Sequence, residues 1–416
     1  MIKNKAVINN TAMLYIMSIA KLILPLFTLP YLTRIFSEEA YGLVSYVKSC
    51  MTYMQILIDF GFILSSVKDI VYVQNDKKQI GEIIGNTFFA KFLLTIVASV
   101  ALGFMMVFIT ILRGNSLFVI LSFVAVAISI FFADFLFRGI EKMSFITMIY
   151  LVSKGVSVVL TFILVKSDAE ILLVPILDIV ANVISVLISF VVIRKLEIPI
   201  RFTGIKNCWL MIKDSFVFFL STFATTAFSA LNTVLIGIYI VDFTQVAYWS
   251  LCISIVSAIQ GLYAPICNGI YPHMIKEKSL KFIHKVLILF MPLVTAGCIF
   301  CFFFAETALE IIGGEKYALA SNLFRLMIPI LFFSFPAQVY GWPTLGAIGK
   351  VRETTISTTI AAVVQVLGLL ALILANAFTL TNLAILRFCT EALLMVVRML
   401  ITYKNRQAFI QEDTNG

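Results

Sequence analysis

The segment LLTIVASVALGFMMVFITIL, residues 93–112, is apolar on every face. A backbone immersed in lipid must satisfy its polar groups internally, so only α-helices and closed β-barrels span membranes. Transmembrane strands alternate apolar and polar over about 10 residues. This segment does not alternate, and its length matches the roughly 20 residues of a spanning helix. Similar runs recur along the chain, and composition limits how many there can be. Of 416 residues 61% are apolar and the mean hydropathy is +1.04, enough for roughly a dozen spans at about 20 residues each. With only 13% charged residues, too little polar surface remains for a soluble enzyme, a secreted disulfide scaffold or a DNA-binding protein.

Twelve runs are predicted to cross, beginning near Thr11, Tyr41, Ile83, Ser116, Phe145, Ile171, Ser215, Thr244, Lys285, Ala318, Thr354 and Thr379. The first reads as an uncleaved span: it is long, carries Lys21, and lacks a small-residue cleavage site. Connections on one side hold 20 Lys and Arg, from Lys3 and Lys5 to Lys404 and Arg406. The alternate connections hold only Arg34, Arg113, Lys166 and Lys316. Positive residues stay on the cytoplasmic side, so both termini are expected there. The net charge of +9 therefore reports topology, and no nucleic-acid partner is expected. The connection RKLEIPIRFTGIKNCWLMIKD splits the chain into a six-helix lobe over 1–195, an amphipathic linker over 196–214 and a second six-helix lobe over 215–416. The fold class expected is an all-α polytopic membrane protein with two lobes around a central cavity, the recurrent plan of secondary transporters.

Ionisable groups within spans are costly and mark function or compensation. They are Lys21, Lys48, Asp59, Lys91, Asp134, Lys154, Asp178, Arg325, Arg387, Glu391 and Arg398. Seven are basic and four acidic, an excess suited to an anionic substrate. Lys91, Asp134 and Arg398 lie near cytoplasmic ends, where snorkelling accounts for them. Lys21, Lys154 and Asp178 lie deeper, and the last two are placed to pair. Lys21, Lys48, Lys154, Arg325 and Arg387 are thus the candidate cavity cations. Arg387 and Glu391 are spaced to pair on one helix face. Asp59 either balances a lysine or takes a coupling ion. Prolines supply candidate bends: Pro25 and Pro30, Pro265 and Pro272, and Pro329, Pro336 and Pro343.

Enzyme chemistry finds no support. His273 and His284 are the only histidines, so no HExxH motif or Ser-His-Asp set can form, and no Walker A loop is present. The seven cysteines lie mostly in apolar runs as small hydrophobes. Neither cofactor nor metal site is expected.

Particular segments resemble the polysaccharide and lipid-linked oligosaccharide flippases (Wzx-type) of the multidrug/oligosaccharidyl-lipid/polysaccharide exporter superfamily. LPYLTRIFSEEAYGLVSY is similar to their motif after the first span. FGFILSSVKDIVYVQNDKKQIGEIIGNTFFAKFLL, FRGIEKMSFITMIYLVSKG, YPHMIKE, IIGGEKYALASNLFRLMIPI and GAIGK continue the likeness in family order.

The resemblance implies a flippase of the bacterial cytoplasmic (inner) membrane. It would move an undecaprenyl-pyrophosphate-linked oligosaccharide, an O-antigen or capsular repeat unit, to the outer leaflet by alternating access. It also implies H⁺ or Na⁺ coupling, with Asp59, Asp178 and Glu391 as candidates, and polysaccharide polymerase or assembly proteins as partners beside membrane lipids. Lys21 and Lys48 match cavity cations of relatives, and Arg34, Tyr41 and Gly42 match the outer motif, whose part is structural or gating. The eighth span, WSLCISIVSAIQGLYAPICNGI, lacks Arg and Lys, which shifts the second lobe's cationic role to Arg325 and Arg387. Competing readings are a drug or small-molecule exporter of the same superfamily and a membrane glycan polymerase.

Overall fold

A computed structural model describes residues 2–226 and 230–409, and among these every regular element is helical. Ten helical segments are long and apolar enough to cross a membrane. They match the first six predicted runs and the eighth to eleventh. The chain is a multi-pass membrane protein, divided into two compact units, Met1–Phe223 and Ala224–Gly416.

The first unit contains α1 (Ile2–Ile35), α2 (Glu38–Asp59), α3 (Phe62–Tyr72), α4 (Lys77–Phe108), α5 (Thr110–Gly114), α6 (Ser116–Ile128), α7 (Asp134–Gly139), α8 (Met143–Leu164), α9 (Leu173–Lys195) and most of α10 (Ile205–Thr226). α1 packs on α8, α8 on α9, α9 on α6, and α2 against both α4 and α6. Its apolar core gathers Ile70, Ile84, Phe88, Phe135, Phe137, Ile149 and Ile193. Predicted bends at Pro25 and Pro30 fall inside α1, which stays helical through both.

The sharp break in this unit lies elsewhere, between α2 and α3. Phe60 and Gly61 are both left-handed, with Gly61 at φ +80°. A Cβ on Gly61 would stand 2.5 Å from that of Phe218, so only glycine lets α10 pass this corner. The approach is fixed by stacking of Phe60 on Phe219 at 4.4 Å and by a 2.6 Å hydrogen bond between the Ser65 and Ser215 hydroxyls. The preceding polar connection is strapped to α4. Arg201 N donates to Gly81 O at 3.1 Å, and Thr203 N to Asn86 Oδ1 at 3.0 Å.

Asp76 caps α4, its Oδ1 accepting from the Lys78 and Gln79 amides at 2.9 and 3.1 Å. These bonds, that of Gln79 foremost, hold its carboxyl below the ordinary value of 3.8. The cap is therefore fully formed above that value and is lost as pH falls through the lowered one.

The second unit contains α11 (Ala230–Tyr239), α12 (Phe243–Gly261), α13 (Tyr263–Glu277), α14 (Leu280–Phe303), α15 (Ala305–Gly313), α16 (Ser321–Val339), α17 (Val351–Leu374) and α18 (Leu380–Lys404). α16 is its centre, packed against α12, α14 and α18, with Phe324, Met327, Ile330 and Phe335 buried. α14 is peripheral, exposing Ile288, Leu289 and Leu293, apolar side chains that suit lipid.

Beyond α16 the chain makes a π-helical turn over Tyr340–Gly346, with Pro343 inside it and Gly341 at a non-helical ψ of −119°. Arg398 holds this break. Its guanidinium donates to Ala337 O at 2.7 Å, Ser357 Oγ at 3.1 Å and Thr358 Oγ1 at 2.9 Å. A Cβ on Gly341 would come within 2.7 Å of an Arg398 nitrogen. The sequence assigns Arg398 to snorkelling; the structure turns it inward, where it joins α16, α17 and α18. Interhelical hydrogen bonds in membranes average about 0.6 kcal/mol each. Arg398→Ala should therefore cost roughly 2 kcal/mol, seen as a lower unfolding temperature in detergent, with Arg398→Lys in between. Unchanged stability in Arg398→Ala would show that the break is held by other means.

Candidate functional site

The polar residues of the first unit line a cavity of about 720 Å³. Helical periodicity assembles it. On α2 Lys48, Thr52, Gln55 and Asp59 follow at steps of four, three and four, so they share one face. α9 contributes Asp178 and Asn182 at a step of four, and α8 contributes Tyr150 and Lys154 likewise. α1 supplies Lys21, α4 supplies Lys91 and α7 supplies Asp134.

Four lysines and three aspartates thus share one cavity, and their pairing is unequal. Lys91 Nζ meets Asp59 Oδ1 at 2.8 Å, with the lysine side chain only 5% exposed and the aspartate 38%. Gln55 Nε2 donates to the other Asp59 oxygen at 2.7 Å. Lys154 Nζ meets Asp178 Oδ1 at 3.0 Å, the two side chains 38% and 31% exposed. Asp134 is engaged by Arg138, 3.9 Å away. Lys21 and Lys48 have no carboxylate within ion-pair distance among the described residues. Lys21 instead lies over the Tyr150 ring, 5.5 Å from its centroid, a cation–π contact that holds the ammonium without neutralising it.

The structure therefore brings together Lys21, Lys48, Asp59, Lys154 and Asp178, and it forms the expected Lys154–Asp178 pair. It adds Lys91 and Asp134, which depth alone had assigned to snorkelling. Their opposite charges at comparable depth on separate helices were the available signal.

The second unit handles its charges differently. Arg387 donates to Glu391 at 2.7 Å, both side chains 9% exposed. Beside them Thr390 donates to Gln365 at 2.7 Å and Gln365 to Asn232 at 3.1 Å. Arg325 donates to Phe302 O at 3.2 Å and Asn322 Oδ1 at 2.9 Å, with its guanidinium over the Phe302 ring.

The outer motif forms a corner of the first unit. Ser37 caps α2 by accepting from Ala40 N at 3.1 Å, and Ser37 N donates to Asp168 Oδ1 at 2.8 Å. Tyr31 OH bonds to Val165 O at 2.8 Å. Tyr41 and Gly42 are buried at the start of α2, and Arg34 is exposed at the end of α1.

The sequence profile of a family described as "Polysaccharide biosynthesis protein" matches residues 7–278. A Shigella dysenteriae protein named "Putative O-antigen transporter" is 28% identical over 340 residues, 79% of this chain and 82% of its own. A protein of the same name from Escherichia coli (strain K12) is 25% identical over 398 residues, 92% of this chain and 94% of its own. Among solved structures, the lipid II flippase MurJ in an inward closed conformation superposes with a TM-score of 0.73 at 12% identity, covering 95% of this chain and 87% of that one. An inward-facing multidrug resistance MATE family transporter gives 0.65 at 13% identity, covering 93% and 98%. At these identities the structural likeness establishes the fold.

Unequal pairing predicts unequal costs of substitution. Breaking a buried ion pair strands the partner charge, a penalty reduced here because Asp59 reaches the cavity. Lys91→Met should destabilise the protein by about 1–3 kcal/mol, whereas Lys21→Gln should stay within about 0.5 kcal/mol. Thermal unfolding in detergent compares the two; equal losses would refute the division into paired and unpaired lysines.

Proposed function

The chain belongs to the polysaccharide biosynthesis protein family, and on that premise we propose that it is a flippase for undecaprenyl-pyrophosphate-linked oligosaccharide. It carries O-antigen or capsular repeat units from the inner to the outer leaflet of the bacterial cytoplasmic membrane. The observation that carries this reading is the pair of lysines, Lys21 and Lys48, that line a polar cavity of the first unit with no carboxylate in ion-pair distance among the described residues. A pyrophosphate brings concentrated negative charge. At about 4 Å and an effective dielectric near 20, each unit charge pair is worth roughly 4 kcal/mol before desolvation. Hydroxyl and amide groups of Thr52, Ser122 and Asn182 line the same cavity and offer hydrogen bonds to sugar. The polyprenyl tail stays in lipid while the headgroup crosses about 30 Å of hydrocarbon.

Twelve spans in two six-helix lobes result when the seventh and twelfth apolar runs of the sequence, beginning near Ser215 and Thr379, join the ten apolar segments. The lobes are then 1–195 and 215–416 with the linker 196–214 on the cytoplasmic side, as are both ends. Lys154 joins Lys21 and Lys48 at the headgroup. Arg325 and Arg387, already bonded within the second unit, are secondary cations. Asp59, Asp178 and Glu391 are the carboxylates for an H⁺ or Na⁺ gradient. The Pro25 and Pro30 region of α1 and the Arg34, Tyr41 and Gly42 corner serve gating, and polymerase or assembly proteins take the product. The surplus of cations disfavours export of cationic drugs, which the cavity would repel.

Lipid-linked glycan sidedness in cells depleted of the protein tests this reading. Repeat units should accumulate on the cytoplasmic leaflet, with wild type restoring flux and a Lys21→Ala/Lys48→Ala double variant lowering it at least about tenfold at normal expression. Units that reach the outer leaflet but fail to polymerise would overturn the flippase assignment.

A further inference from the structure

The two lysine–aspartate pairs of the cavity differ in accessibility. Lys91 lines the cavity with a side chain only 5% exposed and is tied to Asp59 at 2.8 Å, which leaves it little reach toward a ligand. Lys154 and Asp178 both stand about a third exposed at the cavity surface, where an ion pair in contact with water is weak. Asp178 also lies in the field of Lys48 on α2, so one carboxylate faces cations from two helices. Lys154 and Tyr150 are one turn apart on α8, and Tyr150 carries Lys21 over its ring. The three accessible lysines of the cavity, Lys21, Lys48 and Lys154, are thus grouped around Tyr150 and Asp178.

We propose that Asp178 is a resident counter-anion: with no ligand bound it occupies the place at Lys154 that a phosphate oxygen of a diphosphate ester takes on binding. This deepens the flippase reading and rests on it. An incoming diphosphate displaces the Asp178 carboxylate from Lys154 and gains a third cation beside Lys21 and Lys48. On release the intramolecular carboxylate returns to the ammonium. The consequence is a limit on affinity, because each binding event must first give up the Lys154–Asp178 pair. A carrier needs that limit, since a ligand held too tightly is not delivered. Asp59 cannot play this part, being tied to enclosed Lys91 and to Gln55.

The test measures binding of undecaprenyl pyrophosphate, and separately of inorganic pyrophosphate, to the full chain in lipid nanodiscs. Asp178→Asn keeps size and removes the competing charge. It should bind both probes about tenfold more tightly than wild type and translocate glycolipid more slowly. Asp178→Glu should bind as wild type does, and Lys154→Gln/Asp178→Asn should lose the gain, because the gain comes from the freed Lys154. If Asp178→Asn is not monodisperse, Asp178→Ser carries the same expectation. Affinity equal to or weaker than wild type in a folded, charge-removed variant overturns the proposal. Tighter diphosphate binding together with unaltered glycan sidedness on depletion leaves the counter-anion role standing and removes the flippase reading. Altered sidedness with unchanged affinity removes the counter-anion role alone.

Discussion

A lysine held at hydrocarbon depth must meet a carboxylate, an aromatic face or water, and the first unit is arranged around the three ways it meets that demand. Lys91 takes a carboxylate and is enclosed with it. Lys21 takes an aromatic face. Lys48 and the Lys154–Asp178 pair take an open polar cavity. Cation–π contact and a polar cavity lining stabilise an ammonium without cancelling its charge, so Lys21 and Lys48 keep a positive potential inside the protein. The apolar lining of Met51, Ile56, Phe118 and Val174 supplies a low-dielectric wall, which strengthens that potential relative to bulk water.

The second unit spends its polar groups on one another. Arg387 and Glu391 sit side by side with the chain of Thr390, Gln365 and Asn232, which joins α18, α17 and α11. Arg398 satisfies backbone and hydroxyl groups where the helix following Pro336 breaks. A buried network of this kind fixes helix register and satisfies orphaned groups. Charged residues therefore do different work in the two units: lysines and aspartates open and partly unpaired in the first, arginines and a glutamate bonded to their neighbours in the second.

Much of this was legible in the sequence because hydrophobic runs and charge placement act locally. Run length and apolar composition pointed to the helical membrane class. The i, i+4 spacing anticipated the Arg387–Glu391 pair, and depth anticipated Lys154 with Asp178. Depth failed for Lys91, Asp134 and Arg398, because distance from a membrane surface does not say which way a side chain points. That direction depends on neighbouring helices, and Lys91 turns to an Asp59 that lies 32 residues away in sequence. Proline was also a partial guide. α1 stays helical through two prolines, while the sharp breaks occur at Gly61, where α10 crowds in, and at Gly341, where Arg398 does. Both depend on the close approach of a distant helix, which no local pattern encodes.

The central claim is that Lys21 and Lys48, held without an ion pair, make the first unit a receptor for an anionic headgroup. Native mass spectrometry of the purified full chain with its co-purifying lipids tests this most directly. The account predicts that wild type and Arg325→Gln retain one lipid-linked glycan and that Lys21→Gln/Lys48→Gln loses it while remaining folded. Full retention by the double lysine variant would contradict the account and move the binding site out of this cavity.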